Sequence, residues 1–433
     1  EARVGELEAT QFSTTTKLSG AAYFVIGANS FSGDARQGAI DKLKGGATNA
    51  VDGDNEFRYG KAGTKRADAA AAISGATSFN YDLRLFLDTS FTGKDLLRTM
   101  LRAGNFGSSA FGAGGYVGLD GLETAFEEDS GADSIAVNRL WYQFPIGSNF
   151  TATVGGVVRQ DDMLAVWPSA YPADTVLDFF TYAGAPATYN LALGSGAGLS
   201  WADNGFSISA NYVSGNGNIG DPNAGGIATD GAASNGTVQV AYAPDNWGIA
   251  AAYNYASENG GTLYAGNGTP LAVDATGSGN NSSFGISAWW TPEESGWIPS
   301  ISTGYGFNSI TNDDSTVYRS VDTQSWYVGL QWADAFLKGN TLGMAVGQAT
   351  FVTGVDYRND FDKSDFVADG NYAWEWWYMF QVTDNISVTP AVYYLSRPYG
   401  DLTDGQAGSA VGGDRSDSTF SNFGGLIKTT FKF

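Results

Sequence analysis

Hydrophobic and polar residues alternate along many short segments of this chain, and the alternation is clearest in its last eleven residues. There, Phe423, Ile427 and Phe431 fall on one face of an extended strand, whereas Lys428 and Lys432 fall on the other. An ordinary amphipathic edge strand would show the same pattern. A terminal strand that ends in Phe is also typical of a β-barrel, in which the last strand pairs with the first and leaves no open edge.

The same alternation recurs along the chain in runs close to the roughly 9–11 residues that a tilted strand needs to cross a bilayer. In one of them, Tyr372, Trp374 and Trp376 share a face that suits lipid, while Glu375 lies on the face that suits water. Sixteen runs have this character: 17–28, 77–90, 95–104, 134–146, 150–159, 196–202, 205–214, 234–244, 247–257, 281–291, 298–307, 321–333, 339–352, 369–382, 386–396 and 418–433.

The connections between these runs alternate in length. Short ones contain the Gly, Asn, Asp and Pro of tight turns. They fall at 92–95, 147–149, 202–205, 243–246, 292–296, around 338–340, and at 383–385. Long ones, which carry much of the acidic excess, cover 29–76, 105–133, 160–195, 215–233, 258–280, 308–320, 353–368 and 397–417.

This rhythm predicts an all-β protein, a transmembrane antiparallel β-barrel of about sixteen strands. Short turns are expected on the periplasmic side together with both termini, and long loops on the extracellular side. The barrel is predicted to occupy 17–433, with a pore inside it. Residues 1–16 are expected to form a periplasmic lead-in, either a disordered tail or the end of a coiled coil.

Composition narrows the classes of function. The chain has 433 residues, and only 16% of them are charged, although its net charge is −22. Its apolar residues form no run near the roughly 20 residues of a membrane helix. The negative charge argues against nucleic acid as a partner. The sequence contains neither Cys nor His, so a Ser-His-Asp triad and a thiolate zinc site cannot be built. No catalytic residue, metal site or cofactor is therefore predicted.

Arginines recur on the inferred inner face of four consecutive strands, the second to the fifth. Neighbouring strands lie about 4.8 Å apart, so these side chains are predicted to form one basic wall lining the lumen. The alternative is that each arginine simply pairs with a nearby carboxylate such as Asp82 or Asp88. The predicted wall consists of Arg84, Arg98, Arg102, Arg139 and Arg159.

The segment 160–195 follows directly after these strands and combines acidic residues with large aromatic ones. Exposing its aromatic surface to water would be unfavourable, so the segment is predicted to fold into the barrel and narrow the pore. Its carboxylates would then face the arginines across a constriction, which creates a transverse field. A lid or a subunit contact is the alternative. The acidic residues are Asp161, Asp162, Asp174 and Asp178. Shortening 160–195 is expected to enlarge the pore, whereas shortening 258–280 is not.

The oxygen-rich stretch Asp52-Gly-Asp-Asn-Glu56 could bind calcium. It lacks the remainder of an EF-hand loop, and a solvated acidic loop is favoured instead.

Several segments resemble cyanobacterial outer-membrane porins of the surface-layer-homology-domain type. These porins are related to the OprB carbohydrate-selective family, and some are described as iron-uptake porins. The resemblance rests on Leu7–Gly20, Asp95–Phe106, Asn138–Gly147 and Gln381–Val392. It implies a homotrimer, and an upstream domain that would bind the cell-wall polymer through a coiled coil. Contact with that polymer is expected only through such a domain, which these residues do not contain.

The sequence thus predicts an outer-membrane porin, not an enzyme, for passive diffusion of small hydrophilic solutes, chiefly inorganic ions. A substrate-specific porin for carbohydrates or iron species is one alternative, and a mainly structural anchor is another. The expected partners are outer-membrane lipid, two further copies of the chain and the barrel-assembly machinery. The terminal aromatics Phe431 and Phe433 are predicted to be the signal for assembly.

Overall fold

Sixteen antiparallel strands form one closed barrel. The computed structural model describes residues 15–35, 65–112, 115–173, 176–294, 296–313, 315, 318–358, 367–404 and 418–433. Within these residues each strand pairs with its neighbours in sequence, and β1 also pairs with β16. The strands are β1 Thr16–Gly33, β2 Ser78–Thr89, β3 Leu96–Gly104, β4 Ala136–Ile146, β5 Phe150–Arg159, β6 Leu193–Asp203, β7 Phe206–Ser214, β8 Ser234–Tyr242, β9 Trp247–Ala256, β10 Asn280–Trp290, β11 Ser300–Thr311, β12 Tyr318–Ala333, β13 Thr341–Tyr357, β14 Tyr372–Thr383, β15 Ile386–Ser396 and β16 Phe420–Lys432.

The seam between β1 and β16 closes the cylinder. Thirteen residue pairs join the two strands, from Ala21 opposite Lys432 to Gly33 opposite Phe420. Closure pairs the backbone N–H and C=O groups that an edge strand would leave unsatisfied in hydrocarbon. The predicted sixteen-stranded barrel and its closing terminal strand are confirmed.

The two faces of the wall have the predicted polarity. On β14, Trp376 is exposed on the outer surface, whereas Glu375 is fully buried on the inner side. On β2, Phe79 is exposed outside, whereas Asp82 is buried inside. Period-two alternation places every second side chain toward lipid and the others toward the lumen.

The connections define two different rims. Short turns share one rim with the first residue of β1 and the last residue of β16; they are 90–95, 147–149, 204–205, 243–246, 291–299, 334–340 and 384–385. Most connections on the opposite rim are long. The segment 308–320, predicted as a long loop, is an exception because β11 and β12 extend toward each other and leave only 312–317 between them.

A small hydrophobic cluster explains this extension. Ile310 and Val321, at the ends of β11 and β12, are buried with Val352 of β13 and with Leu271. Leu271 belongs to the helix α2 (Pro270–Thr276) in the connection 257–279. Burying these side chains under a loop favours continued strand pairing over a long solvated connection.

A second helix, α1 (Arg66–Ser74), lies in the connection between β1 and β2. Its Arg66 is buried and donates hydrogen bonds of 3.1 Å and 2.8 Å to the carbonyl oxygens of Thr403 and Leu402. In the described part of the chain, neither helix is long and apolar enough to cross a membrane. The predicted lead-in 1–16 lies almost wholly outside the described residues, which begin at 15.

Candidate functional site

The loop 105–135 lies inside the barrel. Its Asp120 accepts hydrogen bonds of 2.8 Å from Asn29 Nδ2 on β1 and 2.9 Å from Asn422 Nδ2 on β16. Phe111 of the same loop packs on Tyr393 of β15, with ring centroids 6.4 Å apart. Burial raises the pKa of Asp120 well above its ordinary value. The predicted long connection 105–133 is present, but its inward fold was not predicted from the sequence; these contacts tie its described residues to the inner wall.

The loop 160–192 is tied to the adjacent part of the inner wall, on β12 and β14. Glu375 on β14 accepts hydrogen bonds of 2.7 Å from the Tyr171 hydroxyl and 2.7 Å from the backbone N–H of Leu177. Trp377 Nε1 donates to the Tyr171 hydroxyl at 2.9 Å. The rings of Phe180 and Tyr171 lie near the buried Tyr327 of β12. Aromatic side chains of this loop are therefore covered by strands β12 to β14.

The two loops pair with each other in the lumen. Leu122 and Leu177 form an antiparallel β-bridge. On either side of it, Glu123 N–H donates to Val176 O at 3.1 Å and Asp178 N–H donates to Gly121 O at 3.0 Å. Together the loops form a partition that is attached to β1, β14 and β16.

A cavity of about 660 Å³ lies between this partition and the wall of β2 to β5. All five predicted arginines line it, together with loop residues on the other side. The polar and aromatic lining residues are Tyr23, Arg84, Phe86, Arg98, Arg102, Glu123, Phe126, Asn138, Arg139, Arg159, Asp161, Asp162, Trp167, Asp178, Thr181, Tyr182 and Tyr264.

Two of the arginines share one buried carboxylate. Asp82 Oδ2 lies 2.7 Å from Arg84 Nη2 and 2.8 Å from Arg102 Nη2. Arg84 also contacts Glu123 of the partition at 3.1 Å. Because Arg84 and Arg102 are opposite each other on β2 and β3, a single carboxylate can hold both guanidinium groups.

The other three arginines have their own partners. Arg98 Nη2 lies 2.7 Å from Asp88 Oδ2 on the neighbouring strand. Ion pairs with the loop acids complete the set: Arg139 with Asp162 at 2.9 Å and Arg159 with Asp161 at 2.5 Å. The arginines thus share one cavity and each is also paired with a carboxylate, while their role as a basic wall of the pore stays a prediction.

The predicted placement of the loop acids across a constriction is wrong for Asp161 and Asp162. They belong to a 3₁₀ turn, Gln160–Met163, that directly follows Arg159, so they fold back onto the arginine side. Burial alone would raise the pKa of Asp161, but the Arg159 guanidinium lowers it below the ordinary value. Burial and the Asp161 charge raise the pKa of Asp162.

Asp178 is the predicted acid that lines the cavity from the partition side. Burial, and then the charge of Glu123, raise its pKa well above the ordinary value. Asp174 lies outside the described residues. Among those that are described, six carboxylates line the cavity or pair with its five arginines: Asp82, Asp88, Glu123, Asp161, Asp162 and Asp178. Charges of both signs thus surround the space, in place of a uniformly basic surface.

Aromatic rings of the wall and of the loop 105–135 lie close to several guanidinium groups. Arg84 lies 4.8 Å from the ring centroid of Tyr23, and Arg102 lies 3.9 Å from that of Phe126. Such cation–π contacts stabilise a fixed orientation of the guanidinium plane. They also place apolar ring surface beside paired charges along the cavity.

Sequence reasoning missed several residues of this site. Glu123 and Phe126 come from the loop 105–135, whose aromatic residues carry the same signal that identified 160–195. The loop 257–279 supplies Tyr264, whose hydroxyl accepts a hydrogen bond of 3.2 Å from Tyr182. The expectation that shortening 258–280 does not enlarge the pore stays a prediction, although Tyr264 of this connection lies in the lining.

The terminal aromatics lie at the β1–β16 seam on the short-turn rim. Phe433 exchanges backbone hydrogen bonds with Gly20, donating at 3.1 Å and accepting at 2.7 Å. The Phe431 ring lies 5.6 Å from that of Phe24 in an edge contact. Any role of the two residues as an assembly signal stays a prediction.

The possible calcium segment 52–56 lies outside the described residues. Across the residues that are described, no group of three or more acidic side chains is arranged to hold a metal ion.

A closed transmembrane barrel whose polar lumen is narrowed by internal loops defines a porin, a channel and not an enzyme. The model of the OprB family, the carbohydrate-selective porins, matches residues 1–433. The chain belongs to this family and is an outer-membrane porin.

Two cyanobacterial relatives and a solved structure match the chain. An uncharacterized protein of Synechocystis sp. is 28% identical over 427 residues, which cover 92% of this chain and 68% of that protein. An uncharacterized protein of Nostoc sp. is 28% identical over 474 residues, which cover 100% of this chain and 68% of that protein. The high-pH structure of Pseudomonas putida OprB matches with a TM-score of 0.54 at 11% identity, covering 100% of this chain and 96% of that one. At that identity the likeness concerns the fold. The resemblance to cyanobacterial porins is confirmed.

Proposed function

We propose that this porin conducts small hydrophilic solutes, including inorganic ions, by passive diffusion through the arginine-lined cavity. The observation that supports this proposal most directly is the cavity of about 660 Å³ in the lumen, which is bounded by paired charges. Paired guanidinium and carboxylate groups keep the walls hydrated without a net charge large enough to trap one ion. On this proposal a solute enters and leaves without a conformational step.

Carbohydrates are the second candidate solute, and a specific observation favours them. Sugar hydroxyls both donate and accept hydrogen bonds, so they suit a wall on which arginines alternate with Asp161, Asp162 and Glu123. The rings of Phe126 and Trp167 add apolar surface in the same cavity. Membership of a family of carbohydrate-selective porins also supports this candidate.

Single-channel recording in planar bilayers separates the two candidates. A general diffusion pore gives ion current that rises linearly with salt concentration and is unaffected by sugars at low concentration. A carbohydrate-selective pore gives ion current that sugars block in a saturable manner. Absence of measurable conductance from correctly folded protein would contradict both and favour the structural-anchor alternative.

The partition is proposed to set the exclusion limit of the pore. Support comes from the attachment of 160–192 to Glu375 and its pairing with 105–135 through Leu122 and Leu177. Liposome-swelling rates with neutral solutes of increasing size measure the limit. Shortening 160–192 should admit larger solutes, whereas shortening the loop 215–233, which supplies no residue of the cavity lining, should leave the limit unchanged.

The finer topology and partners are also proposals. We infer that the short-turn rim faces the periplasm, because short turns on that side are typical of outer-membrane barrels. Assembly into a homotrimer through outward-facing strands, and insertion by the barrel-assembly machinery, follow from the same class. Protease protection of tags placed in the turn 147–149 and in the loop 215–233 tests the orientation, and native mass measurement in detergent tests the trimer.

A further inference from the structure

An apolar patch protrudes from one sector of the short-turn rim. Two turns, 291–299 and 334–340, contribute to it, and they are neighbours because they join β10 to β11 and β12 to β13. Four large side chains form the patch, called here the apolar foot: Trp297, Ile298, Phe336 and Leu337. All four are exposed, with 95% of Trp297 and 84% of Phe336 accessible. The Nε1–H of Trp332 donates to the Trp297 carbonyl at 3.0 Å and so ties the turn 291–299 to the end of β12, just before the turn 334–340.

The turn 334–340 holds its part of the foot in a defined conformation. Phe336 has a φ of 64°, in the left-handed region that bulky residues avoid. Gly339 N–H donates to Asp334 Oδ1 at 2.7 Å, and Asn340 N–H donates to Leu337 O at 3.1 Å. These hydrogen bonds fix the turn in which the exposed Phe336 adopts its strained backbone conformation. A strained residue at such a position indicates that its exposure serves a function.

Other turns of the same rim carry fewer large apolar residues. The turns 147–149, 204–205, 243–246 and 384–385 consist of Gly, Ser, Asn, Asp, Ala and Pro. The turn 90–95 carries a single large apolar residue, Phe91, which is 66% exposed and has the ring of Tyr142 beside it. Apolar residues are therefore concentrated in one sector, below strands β10 to β13.

The foot is continuous with the outer, lipid-facing wall of the barrel. The Phe336 ring lies 5.9 Å from the Tyr378 ring, which lies 4.5 Å from the ring of Phe380. Phe380 is exposed on the outer surface near the end of β14. Tyr378 also donates a hydrogen bond of 2.7 Å to Ala335 O, which fixes the turn to the wall. An unbroken row of aromatic contacts thus leads from the barrel wall to the foot.

We propose that the apolar foot inserts into the headgroup region of the bilayer on the short-turn side and anchors this sector of the barrel to lipid. Trp and Phe favour the membrane interface, where an apolar ring and a polar surrounding are both satisfied. Lys338, exposed between Leu337 and Gly339, can reach lipid phosphates from the same position. The partner of this surface is therefore a phospholipid interface and not a soluble protein.

The absence of Cys from the sequence allows a direct test with single-cysteine variants. Trp297→Cys and Phe336→Cys carry an environment-sensitive fluorophore in vesicles of phosphatidylethanolamine and phosphatidylglycerol. Ser148→Cys, in a polar turn of the same rim, is the matched control. Iodide on both sides of the membrane should quench the two foot positions about threefold less than position 148, as expected for interfacial burial. A lipid-borne quencher near the headgroups should quench only the foot.

Equal iodide quenching at 297, 336 and 148, without quenching by the lipid-borne group, would overturn the proposal. That outcome would leave the foot in water, as a surface for a soluble partner. Ile298→Cys and Leu337→Cys provide second positions in the same turns if either first variant fails to assemble. Heat-modifiable migration in gels establishes that every labelled variant is folded before its quenching is compared.

Discussion

The hydroxyl of Tyr171, in the loop between β5 and β6, donates a hydrogen bond of 2.7 Å to Glu375 Oε1 on the far side of the lumen. The second carboxylate oxygen of Glu375 accepts from the backbone N–H of Leu177. One buried carboxylate therefore holds two points of the loop 160–192 against β14. Asp120 plays the corresponding part for the loop 105–135, between Asn29 and Asn422.

Glu375→Ala is expected to release the loop 160–192 from the wall. Removing the acceptor leaves two buried donors unsatisfied, at about 1–3 kcal/mol each. Single-channel conductance should increase and fluctuate, and liposome swelling should admit larger solutes. Tyr171→Phe removes only one of the two hydrogen bonds and should have a smaller effect. The exposed Glu294→Ala serves as the control, and wild-type conductance in an assembled Glu375→Ala barrel would contradict the expectation.

The double variant Arg98→Ser/Arg102→Ser should make the pore more selective for cations. It removes two positive charges while Asp88 and Asp82 remain, and Asp82 keeps Arg84 as a partner. The cation-to-anion permeability ratio, from the reversal potential in a salt gradient, should rise by about twofold or more. Arg319→Ser is the matched control, because Arg319 pairs with Asp356 away from the cavity. An unchanged reversal potential would remove these arginines from the selectivity mechanism.

The strands were predictable because a barrel wall is specified by a local pattern. Alternating side chains and turn residues identify all sixteen strands within a few residues of their ends, since each strand buries one face and exposes the other. The extension of β11 and β12 was not predictable. It depends on burial of Ile310 and Val321 against the helix α2, which is a tertiary contact.

The contents of the lumen were only partly predictable. The alternation of side chains along a strand predicts that the arginines point inward. It does not predict their partners, because Glu123 contacts Arg84 from the loop 105–135. The attachment of 160–192 depends on Glu375, about two hundred positions further along the chain. The alternation of polar and apolar residues within a strand does not predict a contact between residues so far apart in sequence. The sequence places Asp161 and Asp162 in the segment after β5 but does not give their direction, which the 3₁₀ turn sets by bringing them back to Arg159.

Deletion of Phe431–Phe433 is expected to impair assembly of the barrel. The deletion removes the backbone hydrogen bonds between Phe433 and Gly20 and the ring contact of Phe431 with Phe24. It reopens the end of the seam, so edge groups of β1 lose their partners. The inserted fraction, measured by heat-modifiable migration, should fall severalfold.

Phe433→Ala isolates the contribution of the terminal ring, and the exposed Lys432→Ala provides the control on the same strand. Normal yield from the truncated chain would show that neither the seam contacts nor the terminal aromatics are required.

The connections that Asp369 joins on the long-loop rim should open more easily as pH rises. Its carboxylate accepts hydrogen bonds from Val352 N–H at 2.8 Å, from Asp401 N–H at 2.9 Å and from the Thr269 hydroxyl. It thereby joins three connections. Burial raises the pKa of Asp369 from 3.8 to about 7. Between pH 3.8 and about 7, the Asp369 carboxyl is protonated when the connections are closed and ionised when they are open. The free energy of opening therefore falls as pH rises through this window and is constant above it.

Hydrogen exchange of the amides at 269–276 and 400–403, corrected for intrinsic rates, measures this opening between pH 4 and pH 8. The full shift corresponds to at most about 4 kcal/mol of opening free energy. Asp369→Asn should exchange faster at every pH, because its amide meets backbone donors, and should lose the pH dependence. Asp221→Asn, on the exposed loop 215–233, should behave as wild type. Opening that increases as pH falls from 7 to 4 would contradict the assignment of this junction to Asp369.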